Sequence, residues 1–442
     1  MRRRTYLRST GAALFGLGAA GAASADESGD RRGTYRPGGP RQGSERSINL
    51  NAFHTNEQLT KALRKLDGRS DRIRLAQIGE SADAGDPIWE VTVGEGDTNV
   101  HLITQIHGDE AVGTEVALKV LKDLADGGSS RIERILDELT LTVIPRVNPD
   151  GAMYEYDVDD DGRDEWVGRR TNTQAWEEGD SRYEPYYHYA SPEGTEPGYD
   201  MNRDFNIRPP SEFDPRTDDR EEWWTVDGDE AFLDMPYEGY ELGSSGLRLA
   251  PEVRAVTESY LRADPDFAIT HHHQSGGYLV PDSDDGNEPP KQTIMSVMAA
   301  YGPAYRDRAP YEDPDLPVER VVNPFIDDET SARSLRMNAL VADALAERGD
   351  SVFDSITRYG YGPLWGSYLD SLTPHTDAPG MLYEVSYQTG DIGQKALGRM
   401  MEATKVGFWE TFDALAEGTL DEVDEERYFD VPLHGEPISA RR

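Results

Sequence analysis

Five short islands of this chain carry imidazole, carboxylate and guanidinium groups that could act together. The first is His107-Gly108-Asp109-Glu110. It follows Asn99 to Ile106, an apolar run of strand length, and precedes Ala111 to Leu121, where apolar residues recur at helical spacing. A strand-to-helix turn can fold the His107 imidazole and the Glu110 carboxylate toward one point. Zinc takes nitrogen and carboxylate oxygen, and open catalytic sites commonly use two histidines and one glutamate. With nine histidines and 84 acids in the chain, the spacing alone says little. Its company says more.

A second strand-like run, Leu141 to Ile144, leads into the polar turn Asn148-Pro149-Asp150-Gly151. A third island joins Trp166-Val-Gly-Arg-Arg-Thr171 to Gly198-Tyr-Asp-Met-Asn-Arg-Asp-Phe205. The fourth, Phe267 to Thr270, ends in the triplet His271-His272-His273, and the fifth is Met381-Leu-Tyr-Glu-Val-Ser386, with one acid in an apolar and hydroxyl-bearing run. In this order the islands resemble the zinc metallocarboxypeptidases, the carboxypeptidase A-like exopeptidases, over roughly residues 50 to 415.

The resemblance implies one zinc ion held by His107, Glu110 and a histidine of the triplet. Side chains alternate across a strand, so His271 and His273 share one face and His272 takes the other. The family's ending, strand then His-His-Gln, aligns its ligand with His272, with His271 as the alternative. Glu384 takes the place of the general base, able to deprotonate water that zinc has acidified. Arg169 resembles the family's oxyanion-stabilising arginine, although two residues separate it from Trp166 where the family has none, and Arg170 stays open. Asn202 and Arg203 match the pair that grips a peptide's terminal carboxylate, a task suited to a planar fork of donors. Tyr361 matches the mobile tyrosine that closes over bound substrate, with Tyr359 as runner-up. Gly366 to Asp370 then lines the side-chain pocket, where Tyr368 and Leu369 suggest an apolar preference.

The ends of the chain read as addresses and linkers. Arg3-Arg4-Thr5-Tyr6-Leu7, a small-residue apolar run and Ala23-Ser24-Ala25 make residues 1–25 a twin-arginine signal peptide, which places the protein outside the cell. The apolar run is shorter than the about 20 residues that span a bilayer, so no stable membrane anchor is expected. Residues 26–46 read as a disordered Gly/Pro/Arg-rich linker, 47–421 as the catalytic domain and 422–442 as an acidic tail. No cysteine is present, which excludes disulfides and thiolate zinc sites.

Net charge is −39, and only seven of 45 basic residues are lysine. Such a surface repels nucleic acid and suits high salt, where the Debye length falls to about 3 Å at 1 M. Asp157, Asp159 and Asp161 with Gly162 open like a calcium loop, but position twelve is Gly168, so calcium at Asp157 to Asp161 competes with a solvated charge run.

The elements that must position these groups alternate. Helices are expected near Asn56–Leu66, after Glu110, and over Pro251–Leu261, Ser331–Ala346 and Gln394–Ala416. Strands are expected over Ile73–Ile78, Ile88–Val93, Asn99–Gln105, Leu139–Ile144, Phe267–Thr270 and Met381–Val385. The pattern argues an α/β fold with a mixed, largely buried central β-sheet flanked by helices, and a long loop region over 157–246. The expectation is therefore a secreted, monomeric zinc carboxypeptidase acting on peptide or protein C-termini. An amidohydrolase of the same scaffold, acting on N-acyl amino acids or cell-wall-type peptides, and a catalytically inactive binding module are the alternatives.

Overall fold

The computed structural model describes residues 53–156, 168–174, 198–205, 250–274, 292–310, 318–348, 355–386 and 394–435, with short pieces at 34–35, 48–49, 162, 165–166, 224–227, 230–233, 235–237 and 240–242. The signal peptide, the linker but for its short piece at 34–35, the Asp157 to Asp161 acids and most of 157–246 lie outside the described residues.

One eight-stranded mixed sheet organises the rest. Its strands are β1 (Ile73–Glu80), β2 (Pro87–Val93), β3 (Thr98–Thr104), β4 (Leu139–Ile144), β5 (Phe267–Gln274), β6 (Met295–Ala299), β7 (Ile356–Arg358) and β8 (Gly380–Ser386). Their spatial order is β7-β6-β8-β5-β3-β4-β2-β1. The central four, β8-β5-β3-β4, run parallel, and β6 and β2 flank them antiparallel. Parallel strands are covered on both faces and so read as continuous apolar runs. In β5 all eight residues are buried.

Among the described residues six longer helices cover the sheet: α1 (Asn56–Asp67), α2 (Val112–Asp126), α3 (Ser130–Glu138), α4 (Pro251–Ala263), α5 (Asp328–Glu347) and α6 (Gln394–Glu417). Leu59, Val116, Leu335 and Phe408 of α1, α2, α5 and α6 join one apolar core; Val253, Val256 and Tyr260 of α4 join a second. Local chemistry sets several starts. Thr55 and Gln58 form a reciprocal capping box on α1, and the Asp327 side chain accepts the Thr330 N–H at α5.

The chain leaves β3 to build β4 on one side and returns to build β5 on the other. Strand order reverses between β3 and β5, and a crevice forms beyond their carboxyl ends at such a reversal. His107 follows β3 there.

Three features depart from the sequence reading. The strand expected over Phe267–Thr270 continues through Gln274, so the histidine triplet lies inside β5. Strands β6 and β7 and helix α3 add to the expected set. Residues 422–435 belong to the fold: Tyr428 is fully buried, its hydroxyl accepts the Ala299 N–H, and Pro432 and His434 exchange backbone hydrogen bonds with Arg358 of β7. Apolar anchors within an acidic stretch hold it down.

Candidate metal centre and active site

The turn after β3 brings its two expected ligands together. His107 Nδ1 lies 2.8 Å from Glu110 Oε1, and both side chains are buried. From β5, His272 Nδ1 lies 3.0 Å from Glu110 Oε2 and 3.1 Å from His107 Nδ1. Ligands held at about 2.1 Å by a tetrahedral zinc would stand roughly 3.4 Å apart, so a slight expansion of this triangle would seat the ion. Two imidazoles and one carboxylate are a zinc donor set.

Each ring is turned by a second contact. The Thr270 hydroxyl lies 3.0 Å from His272 Nε2, and Asp200 Oδ1 lies 3.3 Å from His107 Nε2, which leaves both Nδ1 atoms facing the common point. Alternation separates the neighbours as expected. His271 points to the opposite face, where its Nε2 meets the Thr404 hydroxyl of α6 at 2.9 Å. His273 Nε2 accepts the Val112 N–H at the start of α2.

Glu384 of β8 is the register partner of His272 on the adjacent parallel strand, so both side chains leave the sheet on the same face. Its Oε2 is buried with no hydrogen-bond partner among the described residues. Burial, then the Glu110 charge, push this carboxyl up to about 8. An unpartnered buried oxygen beside a donor triangle is the feature a cation or polar ligand would satisfy. Burial acts upward on Glu110 too, but the two imidazoles outweigh it and hold that carboxyl well below its ordinary range.

The turn Asn148 to Gly151 packs directly beneath the ligand turn. A Cβ on Gly108 would lie 2.1 Å from the Gly151 carbonyl carbon, so this approach requires glycine. Asn148 Oδ1 accepts the Gly151 N–H, and its amide donates to the Thr171 carbonyl at 3.1 Å. The arginine pair is thereby fixed to the same platform.

Of that pair, the guanidinium brought against the ligands is Arg170's, the alternative left open beside Arg169. Arg170 Nε donates to Asp200 Oδ2 at 2.8 Å, and its Nη1 lies 3.3 Å from His107 Nδ1 and 4.0 Å from Glu110 Oε1. Arg169 donates to the Thr171 hydroxyl and lies over the Tyr154 ring, 4.8 Å from its centre. Tyr361 is fully buried, and its hydroxyl donates to Asp370 Oδ1 at 2.6 Å. Tyr359 is half-buried and donates to Gln274 Oε1, two residues beyond His272.

Asn202 and Arg203 sit in a buried turn two residues past Asp200. The Tyr368 N–H donates to Asn202 Oδ1 at 3.0 Å, which orients the Asn202 amide nitrogen outward from that contact. Arg203 Nη1 donates to the Asn202 carbonyl. Gly366, at φ 87°, passes so close that a Cβ would stand 2.1 Å from the Arg203 carbonyl oxygen. The segment expected to line the side-chain pocket runs into a π-turn over Tyr368–Leu372.

Asp200 was missed by sequence reasoning. Its only signal was its place two residues before Asn202. Burial raises it, yet the Arg170 and Arg203 guanidinium groups hold it well below the ordinary carboxylate range. It thus joins the ligand His107, the arginine and the Asn-Arg pair.

Comparison with known proteins agrees with this geometry. The family model described as zinc carboxypeptidase matches residues 59–313, more than half of the chain, and the chain belongs to that family. The match spans His107, Glu110, Arg169, Arg170, Asn202, Arg203 and His272; Tyr361 and Glu384 fall beyond it. Carboxypeptidase SOL1 of Arabidopsis thaliana is 31% identical over 108 residues, 22% of this chain and 22% of its own length. A zinc carboxypeptidase of Saccharothrix mutabilis subsp. capreolus is 26% identical over 107 residues, 22% of this chain and 24% of its own length. The chain thus spans under a quarter of the length of these curated relatives. Bovine thrombin-activatable fibrinolysis inhibitor, solved in complex with tick carboxypeptidase inhibitor, shares the fold with a TM-score of 0.51 at 14% identity, over 84% of this chain and 98% of its own. Among the described residues no helix is long and apolar enough to cross a membrane.

Proposed function

We propose that this protein is a secreted, salt-adapted zinc carboxypeptidase that hydrolyses the C-terminal peptide bond of peptides and proteins. The observation that carries the reading is the register pairing of His272 with Glu384. It sets an unpartnered carboxylate oxygen on the same face as the His107, Glu110 and His272 triangle. A zinc ion held by those three residues supplies Lewis acidity, acidifying water and polarising a carbonyl.

The chain's own groups do the rest. Arg203, with the Asn202 amide, binds the free terminal carboxylate and sets the last peptide bond in register. Arg170, beside the ligands, stabilises the negative charge that grows on the carbonyl oxygen. Asp200 holds Arg170 and His107 in place. Glu384, brought back to the carboxylate form by a cation held in the triangle, takes the proton of the attacking water and returns it to the departing amine. Tyr359 is the tyrosine we place at the substrate side, in place of Tyr361.

Glu384→Gln tests the reading. Turnover of a blocked dipeptide should fall by about 10²–10⁴-fold while zinc content stays at one per chain. Retained turnover removes Glu384 as the base. Hydrolysis of N-acyl amino acids with no action on dipeptides would transfer the site to amidohydrolase chemistry. Export is tested by the N-terminus of the protein in the culture medium, which should follow Ala25.

A further inference from the structure

We propose that Gln105, locked by Arg146, is the positioning residue that sets the His107–Glu110 turn for its metal. Gln105 has φ 53°, a left-handed conformation that a residue with a long side chain adopts only where its surroundings impose it. Its amide supplies the restraint. Nε2 donates to the Gly108 carbonyl at 2.7 Å, in the middle of the ligand turn. Oε1 accepts from the Thr114 hydroxyl of α2 at 2.6 Å and from Arg146 Nε at 2.8 Å. Its backbone carbonyl accepts the Asn148 N–H at 3.0 Å. One side chain therefore fixes the entry of the turn, its centre, the helix that follows and the end of the neighbouring strand.

Arg146 is an unusual partner. It is buried, and its three hydrogen bonds go to neutral oxygens: Gln105 Oε1, Asn56 Oδ1 and the His54 carbonyl. Burial pulls it down to about 10, so it remains a cation at neutral pH. A buried cation without a carboxylate in direct contact is costly, and a neutral side chain would serve packing alone at less cost. The charge does two things a neutral residue would not. It strengthens the bond to Gln105 Oε1 and so fixes which end of that amide faces Gly108. It also ties residues 54–56 over the turn. That segment is held a second time where His54 Nδ1 meets Glu115 Oε2 of α2 at 2.8 Å.

The inference rests on the reading that His107, Glu110 and His272 hold zinc, and the experiment separates the two. Zinc affinity is measured by competition with a chelator on the full chain, and the melting temperature is measured on the zinc-stripped protein. The variants are Gln105→Gly, which relaxes the left-handed backbone and removes the whole side chain with its amide, and Arg146→Met. The dissociation constant for zinc should rise about tenfold or more in both, as when a contact that orients a metal ligand is lost. The stripped Gln105→Gly protein should still melt cooperatively, below the unaltered chain, because glycine relieves the backbone but leaves Arg146 and the Gly108 carbonyl without this partner. Zinc affinity within about twofold of the unaltered chain in Gln105→Gly overturns the proposal, even if Arg146→Met fails to fold. Absence of zinc binding by the unaltered chain overturns the metal-centre reading, and the positioning role with it.

Discussion

Glu252 allows a prediction whose size follows from the structure. It lies in the first turn of α4, fully buried, and accepts from the Ala82 N–H at 2.9 Å and the Asn172 amide at 3.2 Å. Asn172 in turn pairs with the Tyr199 backbone, next to Asp200. Burial is the largest influence on this carboxyl; its hydrogen bonds act against it, and it stands at about 7 against an ordinary 4.5. A folded-state value above the unfolded one means that the native protein binds more protons across this window. Stability therefore falls as pH rises from about 4.5 to 7 and levels off above that. At about 1.4 kcal/mol for each tenfold in proton affinity, the full loss is about 3 kcal/mol. Glu252→Gln removes the titration. It also turns an amide N–H toward a donor, a cost that does not vary with pH and drops out of the comparison. Urea unfolding of both proteins in molar salt at pH 5 and pH 8 is the assay. The variant should gain on the parent by up to about 3 kcal/mol between those values. An unchanged difference would refute the argument that burial controls this carboxyl.

Arg203→Ala should reduce kcat/KM for free-acid peptides by about 10²-fold, from the loss of charge-assisted bonds each worth about 1.5–3 kcal/mol, and scarcely change C-terminally amidated ones. Equal losses on both would refute the clamp. Gly366→Ala should destabilise by about 1–3 kcal/mol through its positive φ alone, with more from the Arg203 contact, and raise KM for peptides. A melting temperature equal to the parent's would contradict the close approach. With a net charge of −39, melting temperature should fall on dialysis from molar to millimolar salt. A constant value counts against salt adaptation.

The sequence was legible where chemistry is local. His107 and Glu110 share one turn, and strand alternation alone separates His272 from its neighbours. The four central parallel strands could be read because each contains a mostly apolar stretch, as burial on both faces requires, ahead of or around its polar residues. What escaped depends on partners remote in the chain. Asp200 faces His107 from 93 residues away, and nothing near either residue announces the pairing. Arg170 and Arg169 are adjacent, and the choice between them turns on where Asn148 anchors their backbone. Tyr361 has the flanking glycines of a swinging loop, yet Asp370 and Tyr301 enclose it. Helix α3 was readable and was passed over: Ile132, Ile135 and Leu136 recur at helical spacing behind the Ser129 cap.

The closing segment of the fold has a consequence for solubility. Strand β7 is the last in the sheet, and a border strand offers unpaired amides and carbonyls to any passing chain. Pro432 and His434 occupy those groups at Arg358, while Tyr428 and Phe429 lie under its guanidinium. A protein cut back before Tyr428 would present that border bare, and self-association through it, rather than loss of chemistry, is the first defect such trimming should produce.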